Sequence, residues 1–192
     1  MEEYILIVLL IIIIYFFYFN INNNSIYVKS VKGNNYFINK DNFENIKLEL
    51  LDIIQDNMYK LKKILLDNIE LYPDYNNYII QLDKNFNINR TKIYETDYNS
   101  NLTSYSVNKG EELSICLKSK KTGKVHDLNL LMYVVIHEMS HFACPEIGHG
   151  PTFIKIFKKF IQVAIENKLY YYEDYNNKPI EYCGMELNSS IV

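Results

Sequence analysis

The chain has 192 residues, 48% of them hydrophobic, with a formal net charge of −3 and a pI near 5.8. That is enough for one globular domain with a real core, and it excludes the global basic field that drives nonspecific nucleic-acid binding, so no nucleic-acid partner is expected. Cys116, Cys144 and Cys183 are odd in number and form no CxxC pair, which predicts free thiols in a reducing compartment rather than a disulfide framework.

Residues 4–19, YILIVLLIIIIYFFYF, carry no charge. As a helix they would cover about 24 Å. Glu2 and Glu3 precede the run where a signal peptide would be basic, and no small-x-small cleavage site follows, so a retained transmembrane anchor over residues 1–20 is expected. Lys29 and Lys32 lie on its C-terminal side with no lysine or arginine before it, which predicts a single-pass membrane protein with its C-terminal domain in the cytosol. Residues 21–40 are polar and Asn-rich, and read as a linker containing a short strand around Ile26–Val28. The folded domain is expected over residues 41–192.

Asp41 with Glu44 resembles a capping box, and Phe43, Ile46, Leu50, Ile54, Met58, Leu61 and Leu65 recur at helical spacing to near Asn68. Tyr72-Pro73-Asp74 ends that helix. Tyr78–Leu82, Lys92–Glu95, Leu102–Val107 and Glu112–Lys118 read as short strands, the last two joined by a turn at Asn108–Glu111. The basic stretch Lys118–Lys124 reads as a solvated loop.

Asp127–Ala143, DLNLLMYVVIHEMSHFA, starts with a capping residue, lacks Gly and Pro, and stops because Cys144 precedes Pro145; a helix is predicted. Positions four apart share a helical face, so His137 and His141 aim at a common point. Glu138 lies beside that face, where it can act on a water held by a metal without ligating it. A catalytic zinc takes three protein ligands and leaves a fourth position open. The sequence supplies the third: Pro145 breaks the helix, Gly148 permits a tight turn, and His149 opens a second amphipathic helix over Gly150–Asn167, with Phe153, Ile156, Phe157, Phe160 and Val163 on its apolar side. One zinc ion per chain is therefore expected on His137, His141 and His149, with Glu138 as general base. Cys144 follows too closely on the helix end to reach the same metal and reads as a small buried residue. The remaining histidine is His126.

The stretch from Thr103 to Phe160, with HEMSH followed by GHGPTF, and YCGMEL near the C-terminus, resembles the WLM-type and SprT-like minimal zinc metallopeptidases, most closely those encoded by large DNA viruses. The resemblance does not extend to the apolar N-terminal run or the first long helix. It implies an α+β fold, a small zincin-like metallopeptidase domain with an active-site helix and a short antiparallel or mixed sheet. It implies zinc on His137, His141 and His149 with Glu138 as the catalytic carboxylate. In zincins the substrate lies as an added strand along a sheet edge, for which Leu113–Lys118 is the expected edge. Tyr105 and Tyr182 are candidate donors to the substrate carbonyl. Some relatives act on proteins crosslinked to DNA; an acidic chain behind a membrane anchor argues against that role here. The reading is a membrane-anchored zinc-dependent peptidase acting on protein or peptide substrates. The alternative is a zinc-binding, non-hydrolytic protein-interaction domain on the same anchor. The intact Glu138 favours the enzyme, because a domain needing only bound metal has no evident use for a carboxylate beside the open position.

Overall fold

Seven consecutive buried residues, Leu130–Ile136, place a helix at the centre of the molecule, since a helix apolar on every side must be covered on every side. The computed structural model describes the backbone of residues 2–21 and 25–189, and the side chains of residues 4–15 and 25–189. The central helix, α4 (Leu128–Ala143), starts as expected, with the Asp127 carboxylate accepting from the Leu130 N–H. Around it pack α2 (Glu44–Asp67), α3 (Asn76–Asn85) and α5 (Pro151–Glu166). On the remaining side lies a five-stranded sheet formed by β1 (Ser25–Lys29), β2 (Asn35–Asn39), β3 (Lys92–Glu95), β4 (Tyr105–Val107) and β5 (Glu112–Ile115). The spatial order is β1-β2-β3-β5-β4. The β1/β2 and β4/β5 pairs are antiparallel, and β2/β3 and β3/β5 are parallel. A separate hairpin, β6 (Ile180–Tyr182) and β7 (Met185–Leu187), follows α5. The mixed α+β class agrees with expectation.

Several expectations are corrected. The segment expected as the sheet edge, Leu113–Lys118, begins within β5, which is paired on both sides; the edges are β1 and, next to β5, β4. Tyr78–Leu82 is helical within α3: Ile79 and Leu82, three apart, are buried while Ile80 between them is exposed. So short an apolar run does not by itself distinguish the two periodicities. The expected linker carries the β1–β2 hairpin, held to α2 by Asp52, whose carboxylate accepts from Ser30 Oγ at 2.9 Å, Asn34 Nδ2 at 2.8 Å and Tyr36 OH at 3.0 Å. The capping box does not form. Asp41 instead accepts from the Phe43 N–H in an Asx turn, and its carboxylate pairs with Lys47 and Lys118. Lys118 is thus tied down, not solvated.

The N-terminal helix α1 (Glu2–Ile21) has its described side chains, Tyr4 to Tyr15, between 50% and 76% exposed. The other side chains of the apolar run, residues 16–19, lie outside the described residues. Among the described residues no helix is long and apolar enough to cross a membrane. This overturns the expected transmembrane anchor and the single-pass localisation with a cytosolic domain.

The cysteine reading is corrected too. Cys116 and Cys183 form a disulfide across 67 residues of sequence, with Cα atoms 6.0 Å apart. The β6–β7 turn, with positive φ at both Cys183 and Gly184, brings Cys183 back onto the end of β5. The argument for a reducing compartment goes with the free thiols. Cys144 is free and buried, as expected.

Candidate metal site

The last turns of α4 carry His137 and His141, and the helix ends at Cys144 in extended conformation ahead of Pro145. The return loop turns at Gly148, with φ +87°, a conformation glycine adopts without steric cost. Pro151 then opens α5 at its first helical position. Two contacts hold the loop. Lys109, in the β4–β5 turn, donates to the Cys144 carbonyl at 2.7 Å and the Glu146 carbonyl at 2.5 Å. Thr152 Oγ1 donates to Glu146 Oε1 at 2.8 Å. The turn itself sits hard against α4: a Cβ on Gly110, φ +114°, would lie 3.1 Å from the Phe142 ring and 3.2 Å from the Asn85 carbonyl. From the first turns of α5, Phe153 stacks on the His141 ring at 4.3 Å and Phe157 meets the His137 ring edge-on at 5.2 Å. Packing therefore orients the imidazoles.

The outcome is a triangle of Nε2 atoms: His137 to His141 3.2 Å, His141 to His149 3.2 Å, His149 to His137 3.0 Å. These contacts cannot all be hydrogen bonds. A neutral Nε2 either donates or accepts, and three mutually adjacent atoms cannot be divided so that every pair joins a donor to an acceptor. At least one pair is repulsive unless all three lone pairs point inward at a cation. The spacing also approaches the edge of a tetrahedron with zinc–nitrogen bonds of about 2.0–2.1 Å, which is about 3.3 Å. The three histidines could bind a metal ion. Burial holds His137 down to about 3 and His141 down to about 4, helped by the neighbouring histidines, so both are neutral imidazoles, the ligating form.

Glu138 is buried beside this triangle. Burial pushes its carboxyl up to about 7, against a hydrogen bond with Ser106 of β4 that favours the ionised form. A cavity of about 770 Å³ opens over the group, walled by Tyr133 and Val134 of α4, by Ser104 and Ser106 beside and within β4, and by Tyr182 and Met185 of the β6–β7 hairpin. All four residues expected at the site are thus brought together. Both candidate tyrosines border the cavity; the Tyr182 hydroxyl is 2.5 Å from Ser104 Oγ, and the Tyr105 hydroxyl is bonded to Tyr94. His126 lies outside the triangle; its Nε2 accepts from the Cys183 N–H at 3.3 Å and its ring packs 5.0 Å from that of Tyr182. Ser104, Ser106 and Lys109 were missed by sequence reasoning. Their only signal was their place in a predicted strand and turn.

The fold and site define a small α+β domain with a three-histidine cluster fit for a metal and a buried glutamate beside it. The chain belongs to the same family as uncharacterized protein R325 of Acanthamoeba polyphaga mimivirus, to which it is 36% identical over 167 residues, covering 86% of this chain and 84% of that protein. Uncharacterized protein 136R of Invertebrate iridescent virus 6 is 34% identical over 84 residues, 43% of this chain and 47% of that protein. No family model matches. Among solved structures, the crystal structure of Wss1 from Saccharomyces cerevisiae aligns at a TM-score of 0.35 with 20% identity, covering 40% of this chain and 62% of that one. The relatives are viral proteins, as the resemblance implied.

Proposed function

We propose that the chain is a zinc-dependent peptidase that hydrolyses peptide bonds in a protein or peptide substrate. The observation that carries this reading is the inward-facing Nε2 triangle of His137, His141 and His149 with Glu138 buried at its side. Zinc held there would supply a Lewis acid for the scissile carbonyl and make water a nucleophile near neutral pH. Glu138 takes the proton of the attacking water and passes it to the leaving amine as the C–N bond breaks, work suited to a carboxyl whose burial brings it to about 7. Because β4 is an edge strand of the sheet and Ser106 on it is bonded to Glu138, an extended peptide pairing with β4 would cross the site with its backbone fixed.

The test compares wild type with Glu138→Gln on a peptide found by library screening, with metal measured in both. Glu138→Gln keeps the volume and the ligands but removes the proton acceptor, so kcat falls by about 10²- to 10⁴-fold at unchanged zinc content. Equal rates at equal zinc would remove Glu138 from the mechanism. A metallated wild type that cleaves nothing would favour a non-hydrolytic binding domain.

A further inference from the structure

The peptidase reading assigns a base and a metal, but no protein donor for the negative charge that develops on the substrate's carbonyl oxygen. Most donors in the cavity wall are committed. Lys109 gives two of its three N–H donors to the Cys144 and Glu146 carbonyls, Asn108 gives one of its two to Glu111 at 2.7 Å, and Tyr133 OH donates to the Ser189 carbonyl at 3.1 Å. Tyr105 is bonded to Tyr94, and Ser106 to Glu138. Among the hydroxyls of the wall, the pair formed by Ser104 and Tyr182 is bonded internally and borders the cavity.

Counting protons in that pair isolates one. Ser104 Oγ accepts from the Cys116 N–H at 3.0 Å, and the two hydroxyl oxygens, 2.5 Å apart, share one hydrogen bond. Two hydroxyls carry two protons; the bond between them uses one. The second has no acceptor within hydrogen-bonding distance among the described residues, and both side chains border the cavity. Reversing the shared bond only exchanges which oxygen holds the outward proton.

We propose that the Ser104–Tyr182 hydroxyl pair is a catalytic hydrogen-bond donor that stabilises the oxyanion formed on the scissile carbonyl. The inference rests on the peptidase reading and extends it. The pair is held ready: Tyr182 is 4% exposed, its neighbour Cys183 is bonded to Cys116, and His126 both accepts from the Cys183 N–H and packs on the Tyr182 ring. Such a donor needs no reorganisation as charge develops, which is where this class of contact exerts its effect. Burial raises the Tyr182 hydroxyl above its ordinary pKa, keeping the proton in place at neutral pH.

The experiment uses the zinc-loaded full chain and Tyr182→Phe, which deletes one oxygen and keeps the ring. With a peptide from the library screen, kcat is expected to fall about 10²- to 10³-fold with KM little changed. Affinity for a capped phosphinic Phe–Leu isostere, whose anionic oxygen stands where the oxyanion forms, is expected to fall at least tenfold at equal zinc. Wild-type kcat and wild-type phosphinate affinity in Tyr182→Phe would overturn the proposal, as would a loss confined to KM, which marks a packing role. Should Tyr182→Phe misfold, Ser104→Ala carries the same two readouts. If wild type cleaves no peptide, the peptidase reading fails by itself; phosphinate affinity then decides the donor, weakened in the variant if the hydroxyl faces the bound anion and unchanged if it does not.

Discussion

Removing the Cys116–Cys183 bond tests the link between the closing hairpin and the rest of the fold. The bridge joins the end of β5 to the β6–β7 turn across 67 residues. For a loop of that size the chain-entropy relation gives about 4 kcal/mol of stabilisation at 25 °C, through restriction of the unfolded chain. At a urea m-value of about 2 kcal/mol/M, the double variant Cys116→Ser/Cys183→Ser should unfold at a midpoint about 2 M lower than wild type. Urea titrations followed by far-UV circular dichroism measure this, with thiols counted in denaturant: the oxidised chain should show one, Cys144, and the reduced chain all three. Coincident midpoints for the double variant and for wild type whose single thiol shows the bridge intact would refute the reasoning. The hairpin would then be held entirely by its non-covalent contacts, among them the Cys183 N–H to His126 bond, the Ser104–Tyr182 bond and the Tyr133 bond to the Ser189 carbonyl.

Lys109→Ala should lower zinc affinity about 10- to 100-fold, the range seen when groups supporting metal ligands are lost, because it frees two carbonyls of the loop that carries His149; competition with a fluorescent chelator measures it, and unchanged affinity would show the loop to be held without the lysine. The metal-free protein should lose stability as the pH falls from 7 to 5. His137 and His141, depressed to about 3 and about 4 against 6.5 unfolded, contribute stability that is full above the unfolded value and lost as the pH falls toward the folded ones. Glu138, raised to about 7 from 4.5, contributes in the opposite sense, full below 4.5 and lost as the pH rises through about 7, but it is one group against two. A higher urea midpoint at pH 5 than at pH 7 would refute this balance.

The part of the site that the sequence displayed is its contiguous part. From Asp127 to Glu166, helix periodicity, a capping aspartate, a proline after the helix end and a glycine in the return loop all act within a few residues, and the structure places His137, Glu138, His141 and His149 as that local chemistry requires. The same rules misread Tyr78–Leu82 because only Ile79 and Leu82 of that run are buried, and a pair three apart is too little pattern to separate helix from strand. They passed over the β1–β2 hairpin because what fixes it is the carboxylate of Asp52 on α2, gathering donors from Ser30, Asn34 and Tyr36. That interaction spans sixteen to twenty-two residues and leaves no periodic trace. Asp41 shows the same competition at short range: the residue suited to cap α2 is drawn off by Lys47 and Lys118.

The remaining wall of the site is assembled from segments far apart in the chain, and this explains its absence from any reading of spacing. Ser104 meets Tyr182 across seventy-eight residues, His126 meets Cys183 across fifty-seven, and the disulfide spans sixty-seven. Parity of cysteines pointed the wrong way, since one free cysteine in the core makes the total odd while the other two pair. The two parts do different work. The contiguous helix-loop-helix places nitrogen ligands and a carboxylate, which is sufficient to hold a cation and to accept a proton. The opposite side of the cavity is closed by β4 and the β6–β7 hairpin, and the Ser104–Tyr182 pair sits where those two elements meet. On the peptidase proposal, a chain that kept only the helix-loop-helix would lack the wall against which a peptide is held, so the proposed hydrolysis would depend on the long-range contacts that fasten the hairpin.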